Sequence, residues 1–154
     1  MIPEPSLSKL YQEVILDHNR NPRNFKELPE PTQYSHGVNP LCGDNYHLYL
    51  KTDEKGVIQD IGFKGAGCAI SKSSASMMTS LVKGKTLQEA ECLKGDFLEL
   101  MTQDSIAQSV KSKIPRLLVF EGVKEFPVRV KCATLIWHAL ADALKDAQAP
   151  APKT

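Results

Sequence analysis

No C-x-x-C pair occurs in this chain, and its four cysteines, Cys42, Cys68, Cys92 and Cys132, stand far apart. That pattern excludes a zinc ribbon and a thioredoxin-like couple. No apolar run approaches the length of a membrane span, so no membrane partner is expected. A charge of one sign is missing too: 19 basic side chains against 18 acidic ones give a net charge of +1. Such a chain has no field for gathering nucleic acid, and no basic face interleaved with aromatics is visible. The N-terminus, Met1-Ile2-Pro3-Glu4-Pro5, lacks the charged and apolar regions of a secretory signal, so the expected location is cytoplasmic. In that reducing compartment the cysteines are not expected to form structural disulfides.

Several enzyme motifs are absent despite local likenesses. Gly84-Lys85-Thr86 would need a glycine at position 79 and a strand upstream to be a phosphate loop; Thr79 stands there, inside a helical pattern. Gly65-x-Gly67 lacks the third glycine of a dinucleotide fingerprint. There is no G-x-S-x-G, and the histidines have no evident serine or acidic partners for a hydrolase triad.

What remains is an ordinary globular composition, 42% apolar and 24% charged over 154 residues. It fits one domain spanning 1–154, with an Ala/Pro/Lys tail over about 147–154 expected to fray. Pro5-Ser6 offers an N-cap for a helix whose stripe is Leu7, Leu10, Tyr11, Val14, Ile15 and His18. His18 reads as a helix-end or packing histidine. A short edge strand is expected around 33–38. Alternation then marks strands at about 46–51 and 57–64, giving an antiparallel meander of two or three strands, with His36 and His47 on the surface or a strand face. A helix follows to about Val82, with a small-residue first half that lets another backbone pack closely. Thr86 caps a short helix through Leu93, in which Cys92 reads as a packing thiol. Two or three short helices broken at Gly95, Asp104 and Pro115 come next. A final helix carries Cys132, Leu135, Ile136, Ala139, Leu140, Ala143 and Leu144 on one face.

The centre of this organisation is Phe63-Lys64-Gly65-Ala66-Gly67-Cys68-Ala69-Ile70-Ser71. Two glycines allow a sharp turn and a close approach. Cys68 then falls at a helix start, where unpaired N–H groups and the macrodipole favour a thiolate. Cys132 lies near another helix start, and Cys42 lies in a tight loop two residues before Asp44. Three soft ligands and one hard one suit tetrahedral zinc, or iron with sulfide. Their spacing matches no local metal finger, so on local character a shared metal site and scattered buried thiols both stand. Arg129 and Lys131 flank Cys132; they read either as solvated charges or as cations that depress a thiolate pKa.

Asn39-Pro40-x-Cys42-Gly43-Asp44, Gly65-x-Gly67-Cys68-Ala69-Ile70-Ser71 and Arg129-Val130-Lys131-Cys132-Ala133-Thr134-Leu135 with Trp137-His138 resemble the U-type iron–sulfur cluster assembly proteins. Leu16-Asp17-His18 with Asn21-Pro22-Arg23-Asn24 resembles that family's N-terminal signature. The resemblance implies an α+β fold: a small antiparallel sheet of about three strands, packed on one side by several helices. It also implies the ligand set Cys42, Asp44, Cys68 and Cys132. In the family's housekeeping scaffold branch a histidine precedes the last cysteine; here Lys131 does, and 95–126 is longer than that branch needs. Both departures are similar to the SufU branch, found beside a SufS-type cysteine desulfurase and associated with a zinc-bound sulfur-acceptor role. The implied activity is therefore sulfurtransferase-like, with Cys42 as the attacking thiolate and zinc as cofactor. The implied partners are the desulfurase, other SUF assembly proteins and apo-acceptors. A scaffold building a [2Fe–2S] cluster on the same four residues is the alternative, and a structural zinc-binding interaction module is a further one.

Overall fold

The computed structural model describes residues 5–103 and 106–148. Three strands form one antiparallel sheet in the order β1-β2-β3: β1 Gln33–Asn39, β2 Asp44–Thr52 and β3 Ile58–Ala66. Their period-2 alternation sorts side chains by face. Tyr46, Leu48 and Leu50 of β2 point inward with Ile58, Ile61 and Phe63 of β3, all without exposed surface. The other face carries Tyr34, His36 and His47. His36 pairs with His47 across the strands, and their rings stack 4.3 Å apart within 3° of parallel.

The helices lie against the inward face. They are α1 Pro5–Arg20, α2 Ala69–Val82, α3 Leu87–Thr102, the short α4 Gln108–Lys111 and α5 Pro127–Gln148, with a 3-10 helix at Pro115–Glu125 before α5. α5 crosses β1 and β2, α2 packs against β3 and α5, and α1 lies on α2. The serine-rich start of α2 permits a close approach to α5: Ser74 donates to the Ala133 carbonyl at 2.6 Å and accepts from the Trp137 indole at 3.1 Å. His18 ties α1 to α2, its Nδ1 lying 2.7 Å from Ser76 Oγ, which also accepts the Arg23 N–H at 2.8 Å.

Three sequence expectations are corrected. α1 is described from Pro5, so Ser6 lies inside the helix rather than at its N-cap position. α3 does not stop at Leu93 or break at Gly95 but runs to Thr102, because Ala90, Phe97, Leu100 and Met101 form a buried face across the glycine. Cys92 falls off that face and is exposed rather than packed. α5 is described through Gln148; the rest of the tail, and the break expected at Asp104, lie outside the described residues.

Candidate metal centre

The site forms where the β1–β2 hairpin, the β3–α2 turn and α5 meet. Asn39 and Asp44 face each other as the closing pair of the hairpin. Both occupy the inward phase of their strands, so both are buried, and Asp44 has no exposed surface. The loop between them carries Cys42, whose N–H donates to the Asn39 carbonyl at 3.2 Å. Gly43 follows with φ +71°, a left-handed conformation that glycine adopts without strain. Cys42 is thereby turned back over the strand end.

Asp44 is held firmly on one side only. Its Oδ1 accepts the Cys68 N–H at 3.0 Å and the Ser71 hydroxyl at 3.0 Å. Its Oδ2 is buried without any hydrogen-bond partner. An unpaired buried carboxylate oxygen is costly, so such an atom points to a ligand that it is built to meet. Cys42, Asp44 and Cys132 each direct one ligand atom into a common space, and those atoms lie within 4.8 Å of one another. Cys132 Sγ is 2.9 Å from Cys42 Sγ and accepts from Asn39 Nδ2 at 3.8 Å. Burial, followed by the nearness of Cys42 and Asp44, pushes the Cys132 thiol well above its ordinary range. A buried acid beside two thiols is a donor set suited to a divalent metal.

Cys68 sits beside this group but outside it. Its thiol caps α2, accepting the Ser71 N–H at 3.4 Å, while its backbone holds Asp44. The glycines explain how the turn approaches so closely. At Gly67 a Cβ would lie 2.5 Å from Asp44 Oδ1 and Ser71 Oγ and 2.6 Å from the Tyr46 hydroxyl. At Gly65, with φ +142°, it would meet the Asn45 carbonyl oxygen at 2.1 Å. Arg129 and Lys131 are both exposed, and the negative charge of Cys68 and then Cys132 raises the Arg129 pKa.

Sequence reasoning missed Ser71, Tyr46 and Asn39 as site-builders. The signal for Asn39 was its place in the inward phase of β1; for Ser71, its i+3 spacing from Cys68. Tyr46 read only as a core aromatic, because nothing in sequence shows where a hydroxyl ends.

A family model for the NifU-like N-terminal domain matches residues 10–150. The chain belongs to that family. Within the family, it is 39% identical over 135 residues to the zinc-dependent sulfurtransferase SufU of Bacillus subtilis, covering 88% of this chain and 89% of the relative. It is 41% identical over 142 residues to the iron–sulfur cluster assembly scaffold protein IscU of Streptococcus pyogenes, covering 90% and 85%. Among solved structures, it matches a protein described as an iron–sulfur cluster assembly scaffold for the SUF system of Fervidobacterium islandicum, with a TM-score of 0.78 and 32% identity, covering 88% of this chain and 97% of that one. The chain is thus a member of the IscU/SufU family of iron–sulfur cluster assembly proteins, with the family's α+β fold.

Proposed function

We propose that this NifU-like protein is a zinc-dependent sulfur acceptor, with Cys42, Asp44, Cys68 and Cys132 holding the ion and Cys42 taking the sulfur. The observation that carries the reading is the buried, partnerless Oδ2 of Asp44 beside the two converging thiols. Bound there, zinc would keep the thiols deprotonated and, having no redox chemistry, would not oxidise the sulfur in transit. Cys68 completes the set by giving up its cap on α2. Asp44, fixed by its two donors, is the ligand suited to stay in place while Cys42 reacts.

Cys42 is the reactive member because it rides on the exposed hairpin loop, next to Leu41 at 72% exposure, whereas Cys132 is buried in a helix. Its thiolate attacks the outer sulfur of a persulfide on a cysteine desulfurase of the SufS type. The donor's S–S bond breaks, the donor cysteine leaves as thiolate, and Cys42 becomes the persulfide. Other SUF assembly proteins and apo-acceptors receive the sulfur afterwards, in the cytoplasm. Lys131 in place of histidine before Cys132, and the similarity to the Bacillus sulfurtransferase, support this branch of the family. The similarity to the Streptococcus scaffold supports a second reading, in which the same residues assemble a [2Fe–2S] cluster as cargo.

The test mixes zinc-loaded protein, desulfurase, cysteine and a thiol reductant, and follows alanine formation and sulfide release. Cys42→Ala is expected to abolish stimulation. A variant that turns over sulfur as fast as the parent overturns the assignment. Anaerobic reconstitution separates the second reading, which requires a stable chromophore that passes to an apo-acceptor.

A further inference from the structure

We propose that Ser71, itself set by Tyr46, is the positioning residue that makes Asp44 a one-oxygen ligand. The inference rests on the metal reading above and concerns how the carboxylate is presented. A free carboxylate can turn and offer both oxygens to one ion. Here one of them is already occupied. Oδ1 receives a backbone N–H from Cys68 and the hydroxyl of Ser71, both at 3.0 Å, and only Oδ2 is left without a donor. Rotating the carboxylate toward two-oxygen binding would break two hydrogen bonds to a charged acceptor, one buried and one part-buried. One-oxygen binding leaves room for three sulfurs in a four-coordinate shell, the arrangement that zinc favours.

The direction of the hydrogen bonds follows from proton counting. Ser71 has a single proton and three acceptors in reach, Asp44 Oδ1 and the Tyr46 hydroxyl at 3.0 Å and the Cys68 carbonyl at 3.1 Å. The carboxylate is the strongest acceptor, so the proton goes there. The Tyr46 hydroxyl, 3.0 Å from Ser71 Oγ, must then donate to Ser71. The relay therefore runs Tyr46 O–H to Ser71 Oγ–H to Asp44 Oδ1. Its far end is anchored in the core, where the Tyr46 ring packs edge-on to Phe63 with centroids 5.9 Å apart. Its near side is closed by Gly67, where any side chain would occupy the space between these three oxygens. Ser71 Oγ also lies 3.7 Å from Cys68 Sγ, so the same hydroxyl touches two members of the proposed ligand set.

The test uses the full chain loaded with cobalt(II), whose visible bands are intense in a tetrahedral site and weak when a fifth ligand joins, together with zinc affinity by chelator competition. Ser71→Ala should weaken the cobalt bands and lower zinc affinity by about 10- to 100-fold, the usual range for losing a residue that orients a metal ligand. Tyr46→Phe keeps the core volume and should produce the same spectral change to a smaller extent; it decides the matter alone where Ser71→Ala does not fold. Parent-like cobalt spectra and zinc affinity in the folded variants overturn the relay while leaving the metal site intact. A parent chain that takes up neither ion overturns the metal reading and this proposal with it.

Discussion

Replacing one hydrogen of Gly67 with a methyl group would place a carbon 2.5 Å from Asp44 Oδ1, inside the contact distance of any real Cβ. The neighbours are three buried oxygens of the site, so the strain falls on the carboxylate and its hydroxyl partners rather than on a flexible surface chain. Gly67→Ala is expected to lower stability by about 1–3 kcal/mol, as overpacking does. It should also reduce metal bound per chain, read by elemental analysis beside thermal unfolding. Metal content equal to the parent's would show that Asp44 is not held as described. Cys92 gives the contrasting case. It is exposed on α3 and is not a member of the cluster, so a thiol alone does not mark the site; the company of Asp44 does.

At the scale of elements, α3 shows how tertiary burial outweighs a local preference. A glycine in a helix costs about 1 kcal/mol against alanine. Burying Phe97, stacked on Trp137 with centroids 4.7 Å apart, contributes about 2–3 kcal/mol in the other direction. The helix therefore runs through Gly95. Nothing lies within 4 Å of a Cβ built there, so Gly95→Ala should stabilise the protein by about 1 kcal/mol, seen as a rise in Tm. The α1–α2 contact is pH-sensitive. Burial, followed by the charge of Arg23, lowers the His18 pKa from its ordinary 6.5. The unfolded chain then binds more protons than the folded one in the window just below about 6.5, so stability rises with pH there and is lost as pH falls. Denaturant titrations across that window should show the slope, and His18→Gln should flatten it. An unchanged slope would place the titration elsewhere.

For the molecule as a whole, the cluster joins a hairpin, a turn and a helix that are distant in sequence, so a bound ion would act as a cross-link between them. Structural zinc can contribute on the order of 10–16 kcal/mol, comparable with the total stability of a domain at about 5–15 kcal/mol. Chelation is expected to lower Tm by many degrees. Because thiols must lose protons to bind, the difference should be larger at about pH 8 than at about pH 6. Differential scanning of the zinc-loaded and chelated chain at both values checks it; coincident transitions would remove the cross-link. No helix among the described residues is long and apolar enough to cross a membrane.

Periodicity and turn chemistry alone located the three strands, the helix after Cys68 and the last helix, because those signals are local and repeat every two or 3.6 residues. They also placed Cys68 at a helix start and Cys42 in a loop. The length of α3 and the exposure of Cys92 were settled by packing against partners that no local window contains. So was the convergence of Asp44, Cys42 and Cys132, which depends on how α5 crosses the β1–β2 hairpin end. The hydroxyls of Ser71 and Tyr46 belong to the same class. Their use depends on angstrom-scale distances between side chains 25 positions apart, and only the folded chain sets those.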